Sequence, residues 1–172
     1  MMKFFWLDME MTGLDVDKEV VIEVAAIITD NKLETLDTYH SIVRQPQEYI
    51  DRMDDWNKKT HAASGLTALI PDGKDPADVE NDLLALITKN FEPKDRIILA
   101  GNSIGQDRLF VNKYFKRFAE RLHYRMVDVT SFKIIFNNMF QISYAKKTAN
   151  HRAIEDVQES INELKRYLEF VK

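Results

Sequence analysis

The chain has 172 residues, 45% hydrophobic and 30% charged, which suits one buried core and excludes both disorder and a membrane-spanning class. No apolar run approaches the ~20 residues of a membrane span, residues 1–7 lack the length and cleavage site of a secretory leader, and the absence of cysteine excludes disulfides, thiolate metal sites and a cysteine nucleophile. A net charge of −4 argues against the broad basic surface that grips long nucleic acid, but not against a site for very short nucleic acid in which bound cations offset clustered carboxylates. A cytoplasmic protein of one domain, 1–172, is expected.

In chain order, residues 3–8 are a short aromatic-rich run, predicted as a buried strand, followed by a turn over 11–15. Residues 20–30 form a longer apolar run with only Glu23 interrupting, and Asn31-Lys32 reads as a hairpin bend into a third strand near 38–43. Tight connections make these three strands antiparallel. Val79, Leu83, Leu86 and Ile87 share a helical face after Pro76, and residues 96–100 give a strand ending at Gly101. Phe110, Tyr114, Phe118 and Leu122 recur every four residues, predicting one helix from about Gln106. A short strand over 124–128 follows, then a helix carrying Val129, Phe132, Phe136 and Met139. Ile154, Val157, Ile161, Leu164, Leu168 and Val171 step by three and four, the cleanest amphipathic helix of the chain. Three antiparallel strands and two strand–helix units indicate an α/β fold with a mixed sheet flanked by helices.

The acidic residues carry the chemistry. Asp8 and Glu10 end the first strand, and their i, i+2 spacing points both carboxylates to one face. Asp107 opens a helix after the Gly101–Gly105 loop, and Asp156 lies in the first turn of the last helix, five residues after His151. Strand ends and helix starts gather at one edge of such a sheet, where ligands bind. Four carboxylates with no thiolate suit hard cations, Mg2+ or Mn2+. Two cations about 3.5–4 Å apart can activate a water and stabilise the departing oxygen of a phosphodiester, and a neutral histidine beside that water can take its proton.

Plainer readings exist for each residue. Twenty-eight acids make some such spacing inevitable, and acids at helix starts commonly cap or complement the dipole. His151 taken alone reads as a surface or satisfied histidine. Asp8-x-Glu10 is harder to dismiss, because carboxylates ending a buried strand are costly unless paired or metal-bound.

The segments WLDMEMTGL (6–14), MDDWN (53–57), GNSIGQDR (101–108), HYRMVDV (123–129) and HRAIED (151–156) together resemble the oligoribonuclease family, in the histidine branch of the DEDD exonuclease superfamily. They fall in the family's order and cover nearly the whole chain. The resemblance implies an RNase H-like fold and 3′→5′ hydrolysis of very short single-stranded RNA, down to dinucleotides, to 5′-mononucleotides. It also implies a homodimer whose sites are completed across the interface. On this resemblance Asp8, Glu10, Asp107 and Asp156 are metal ligands for two divalent cations and His151 is the general base. Arg152 stands four before Asp156, where the sister branch has tyrosine, which favours the histidine branch. Leu14 matches a wedge between bases and Trp56 an aromatic packed on one, roles tolerant of base identity. Ser103, Tyr124, Arg125 and Thr130 match groups around the phosphates or contributed by the partner subunit, and His61 a position beside the pocket. A few positioned donors capping the 5′ phosphate would limit substrate length and let an acidic protein act on RNA. Two departures are modest: Ala149-Asn150 lies where many relatives carry glycine, and Glu155 where they often have aspartate.

From residues alone, Leu14 could cover a core edge, Trp56 could be structural and Tyr124 plain packing. Lys113, Lys116, Arg117 and Arg121 read as a solvated helix face, and Lys146 and Lys147 as an exposed loop. Asp8-Met9-Glu10-Met11-Thr12 loosely echoes an aspartyl-phosphatase motif, which the antiparallel opening strands and His151 fit poorly. Further alternatives are a superfamily member acting on longer RNA or DNA ends and an inactive nucleic-acid-binding module.

Overall fold

Alternation decides how the first strand is used. β1 (Phe4–Met11) turns Phe5, Leu7, Met9 and Met11 into one apolar layer and Trp6 into another, so it is buried on both faces and takes the centre of the sheet. The computed structural model describes residues 2–145 and 152–171. β2 (Val21–Thr29) and β3 (Thr35–Ile42) pair antiparallel, β2 against β1 and β3 against β2. β4 (Ile97–Gly101) and β5 (Leu122–Asp128) add in parallel on the other side, giving the order β3-β2-β1-β4-β5. The result is the expected mixed sheet flanked by helices, an RNase H-like α/β fold. Among the described residues no helix is long and apolar enough to cross a membrane.

One face of the sheet packs α4 (Pro76–Asn90), α5 (Ile104–Tyr114) and α6 (Lys116–Arg121) through Val79, Leu83, Phe110 and Phe118. The other packs α7 (Val129–Phe140) and α8 (Ala153–Leu168) through Phe136, Val157, Ile161 and Leu164. Trp6 sits wholly buried on this second face, its indole N–H donating to Thr29 Oγ1 at 2.9 Å. Asp8 and Glu10 share the parity of Trp6 and so turn toward α8.

Several boundaries differ from expectation. β1 runs on through Met11, so Asp8 and Glu10 lie within the strand rather than at its end. The single helix expected over Phe110 to Leu122 is broken. Phe115 leaves helical geometry at φ −125°, ψ 60°, and Leu122 already opens β5. Phe115 at the break is fully buried alongside Phe118. The new start is capped from α4, where Glu80 Oε1 accepts from the N–H groups of Arg117 and Phe118. Residues 44–75, unassigned from sequence, fold as α1 (Gln47–Arg52), α2 (Asp55–Ala63), α3 (Leu66–Leu69) and one 3₁₀ turn over Ile70–Asp72. Each is too short to be stable alone, and a separate apolar cluster of Val20, Ile22, Ile50, Met53, Leu66 and Ile70 holds them down. Val171 lies beyond α8 and is exposed, so the apolar stripe there ends earlier than predicted.

Candidate metal centre

β1 outlasts its parallel neighbour. Pairing with β4 stops at Trp6–Ala100, and Gly101 turns the chain away so closely that a Cβ there would lie 2.7 Å from the Leu7 carbonyl oxygen. From Leu7 onward that side of β1 has no strand beside it, and its backbone N–H groups need other acceptors. Asp107, in the first turn of α5, provides one: its Oδ1 accepts from Met9 N at 3.0 Å.

On the α8 face of this ledge Asp8, Glu10 and Asp156 each place a carboxylate oxygen within 4.8 Å of the other two. All three are half-buried. Three carboxylates so close repel one another strongly unless a cation or proton intervenes, and an all-oxygen set fits a hard divalent cation. The structure therefore brings together three of the four predicted ligands. Asp107 stands behind Met9, the residue between Asp8 and Glu10, rather than inside the triad. Burial pushes its carboxyl up to about 7; the N–H groups of Asp107 and Met9 pull the other way, and the nearby Asp128 charge adds to the rise. His151 lies outside the described residues, as do Lys146 and Lys147.

The triad opens into a polar cavity of about 420 Å³ lined by Asp8, Asp156, Ser103 and Thr130, together with Lys133, Glu159 and Glu163. Ser103 takes up a left-handed conformation, φ 49°, and its N–H donates to Asp128 Oδ1 at 3.0 Å and Thr130 Oγ1 at 2.9 Å. Asp128 also accepts from Thr130 N, so one carboxylate orders both predicted phosphate-contacting residues. Asn102 ties this loop to α8, donating to Ser160 Oγ and Glu163 Oε2 at 3.0 Å each.

The remaining predicted residues divide by place. Leu14 and Trp56 are 76% and 62% exposed, which is unusual for side chains so apolar. The Leu14 carbonyl accepts from Gln106, the residue before Asp107, at 2.7 Å, which ties the turn to the start of α5. His61 does not face solvent. It is buried under β1, Nε2 donating to the Met11 carbonyl at 3.0 Å, and Nδ1 lies 3.9 Å from Glu10 Oε2, beyond hydrogen-bond distance. Tyr124 and Arg125 lie in the first half of edge strand β5, before the position that pairs with Leu99. Tyr124 stacks on His123 at 4.5 Å and carries the Arg125 guanidinium 5.3 Å from its ring, lining a different cavity with Arg96 and Arg121.

Residues missed from sequence include Asp128, Lys133, Glu159, Glu163 and, most fully buried, Glu23. Burial alone would push Glu23 up, but hydrogen bonds from His40, Arg152 and Ala153 outweigh it and hold its carboxyl below the usual range. The lone charge in an otherwise apolar run was the available signal.

Residues 5–164 match the Exonuclease (RNase T) family model. The chain is 40% identical over 175 residues to the probable oligoribonuclease of Caenorhabditis elegans, covering 99% of this chain and 90% of that one. It is 40% identical over 163 residues to oligoribonuclease of Francisella tularensis, covering 94% and 92%, and 38% identical over 170 residues to human mitochondrial oligoribonuclease, covering 96% and 71%. E. coli Exonuclease I, solved with an oligonucleotide, superposes with a TM-score of 0.75 at 13% identity; the match takes in 98% of this chain but only 41% of that one, and shows the fold alone. A sheet ledge carrying an acidic triad, a full-length family match and relatives at about two-fifths identity agree: the chain belongs to the RNase T family of DEDD exonucleases, with oligoribonucleases among its relatives.

Proposed function

We propose that this protein is a metal-dependent 3′→5′ exoribonuclease that hydrolyses dinucleotides and other very short single-stranded RNA to 5′-mononucleotides. The observation that carries the reading is the convergence of Asp8, Glu10 and Asp156 within 4.8 Å, with Asp8 and Asp156 lining a cavity. Asp8, Glu10, Asp107 and Asp156 would hold two divalent cations, Mg2+ or Mn2+. Such ions supply a water nucleophile at neutral pH and charge stabilisation for the leaving oxygen. His151 takes the proton of the attacking water. Leu14 and Trp56 receive the bases, and Ser103 and Thr130 contact a phosphate, with the Ser103 backbone held by Asp128.

The test is a cleavage time course on a 5′-labelled dinucleotide and on longer RNA and DNA, with Mg2+, with Mn2+ and with chelator. Metal-dependent release of mononucleotide, fastest on the dinucleotide, is expected. Survival of the dinucleotide while long RNA or DNA is shortened would assign the chain to longer ends instead. Absence of Mn2+ binding at millimolar concentration would make it an inactive binding module.

A homodimer belongs to the same proposal. Tyr124 and Arg125 sit on the open edge of the sheet, and Tyr124 lines a cavity other than the one Asp8 and Asp156 line, which supports their serving the site of a second copy. The edge has apolar neighbours to cover: Met126 on β5, and Ile134, Ile135, Met139 and Phe140 on α7 are all exposed. The double variant Ile134→Lys/Met139→Lys is expected to sediment as a monomer and to lose at least about tenfold in kcat/KM, a loss of about 1.4 kcal/mol in transition-state stabilisation. A monodisperse wild-type monomer with full activity would remove the dimer from the proposal.

A further inference from the structure

Helix α8 starts on a residue that cannot cap it. Arg152 occupies the N-cap position and makes no side-chain cap bond, because a guanidinium has donors and no acceptor. The N–H groups of the first turn therefore need an acceptor from elsewhere. Glu23, the third residue of β2, supplies it: Oε2 accepts from Ala153 N at 3.2 Å. Oε1 of the same carboxylate accepts from Arg152 Nε at 2.9 Å and pairs with Arg152 Nη2 at 2.8 Å, while His40 Nε2 on β3 lies 2.6 Å away. The Glu23 side chain is completely buried, and Glu23 is directly opposite Glu10 in the β1–β2 register. Arg152 passes the constraint on, since its carbonyl accepts from the N–H of Asp156 itself at 3.1 Å. A single carboxylate on a rigid central strand thus fixes the turn that carries Asp156 beside the residue that carries Glu10.

We propose that Glu23 is a positioning residue, capping α8 from β2 and gripping Arg152 so that Asp156 meets Asp8 and Glu10 in the arrangement that binds divalent cations. The inference rests on reading the triad as a metal centre, and charge signs separate it from simpler explanations. By Coulomb's law alone, removing the Arg152 charge would tighten cation binding by three nearby carboxylates, and Arg152→Lys would leave it unchanged. Loss of positioning loosens binding in both cases, and in Glu23→Gln as well. A merely structural role would lower Tm but leave the affinity of the folded protein alone.

The measurement is Mn2+ binding by titration calorimetry and electron paramagnetic resonance, without RNA, on the full chain, with the folded state checked by circular dichroism at the same temperature. Glu23→Gln and Arg152→Ala are expected to weaken Mn2+ binding about 10–100-fold, the range found when a group that orients metal ligands is removed. Arg152→Lys, which keeps charge but not the two-pronged grip, should weaken it severalfold. Arg152→Lys also keeps the test open where either harsher variant fails to fold. Unchanged or tighter binding in a folded Arg152 variant overturns the inference while leaving the metal centre standing. A wild type that binds no Mn2+ overturns both.

Discussion

Asp8→Asn is expected to lower kcat at least about a thousandfold, corresponding to about 4 kcal/mol of lost transition-state stabilisation, while the metal-free protein melts a few degrees higher. The two effects have one cause. Asp8, Glu10 and Asp156 hold oxygens within 4.8 Å of one another at half-buried positions, so three carboxylates face one another across the site. Asparagine keeps the shape and removes one charge. The repulsion eases, and with it goes the driving force that draws a divalent cation into the site. Turnover measured across a Mn2+ titration, beside melting in chelator, checks both signs. Activity near wild type at saturating metal would sink the two-metal account, and a lower metal-free Tm would show that the triad is held by interactions other than its own repulsion.

Asp107→Asn is the second large effect, and pH exposes it. In the folded, metal-free protein burial raises the Asp107 carboxyl to about 7, against 3.8 ordinarily. Between those values the folded state keeps a proton that the unfolded chain has lost. Stability of the chelated wild type therefore falls as pH rises through this window and levels off above about 7, a change on the order of a few kcal/mol. Glu23, Asp37 and Asp82 shift downward and act in the opposite sense. Their contribution is complete above the ordinary carboxylate range and is lost only as pH falls below it, so they are constant above pH of about 5. Melting in chelator between pH 5 and 7.5 should thus decline in wild type and stay flat in Asp107→Asn. Asparagine retains a carbonyl oxygen for Met9 N, so the ledge survives, yet turnover should fall at least about a hundredfold for lack of a charged ligand. Parallel melting curves would show that Asp107 ionises normally, and full turnover would take it out of the metal centre.

Much of the sheet could be read from periodicity. The short apolar runs at β1 and β2, bounded by turn residues, read as buried strands, while α4 and α8 step with the helical period, which in α8 also announced an apolar face. Residues 44–75 offered too few apolar positions per helix for any period to emerge. Their helices exist because Ile50, Met53, Leu66 and Ile70 find Val20 and Ile22, which is tertiary information. The break at Phe115 is tertiary as well: the four-residue rhythm runs across it, and Glu80 on α4 supplies the acceptor on which the second helix starts.

The site divides in a similar way. Asp8, Glu10, Asp107 and Asp156 were selected by residue type, spacing and family pattern, because a hard-cation phosphodiesterase site can be built from few side chains and leaves a short, recognisable signature. What spacing could not convey was the difference among them. Asp8, Glu10 and Asp156 meet on the α8 face, whereas Asp107 reaches the strand from the opposite helical layer and spends one oxygen on a backbone N–H left over where β4 stops. Nor could sequence separate the exposed Leu14 and Trp56 from the buried His61, or place Tyr124 and Arg125 in the first half of an edge strand.

By itself, then, the sequence determined the class of fold, the candidate acidic cluster and the family, all of which are written in local pattern and identity. Tertiary structure alone decided that Glu23, a charge interrupting a strand, becomes the cap of a helix 130 positions away. The reason is physical: a buried carboxylate is tolerable only with donors around it, and which donors arrive depends on how distant segments pack.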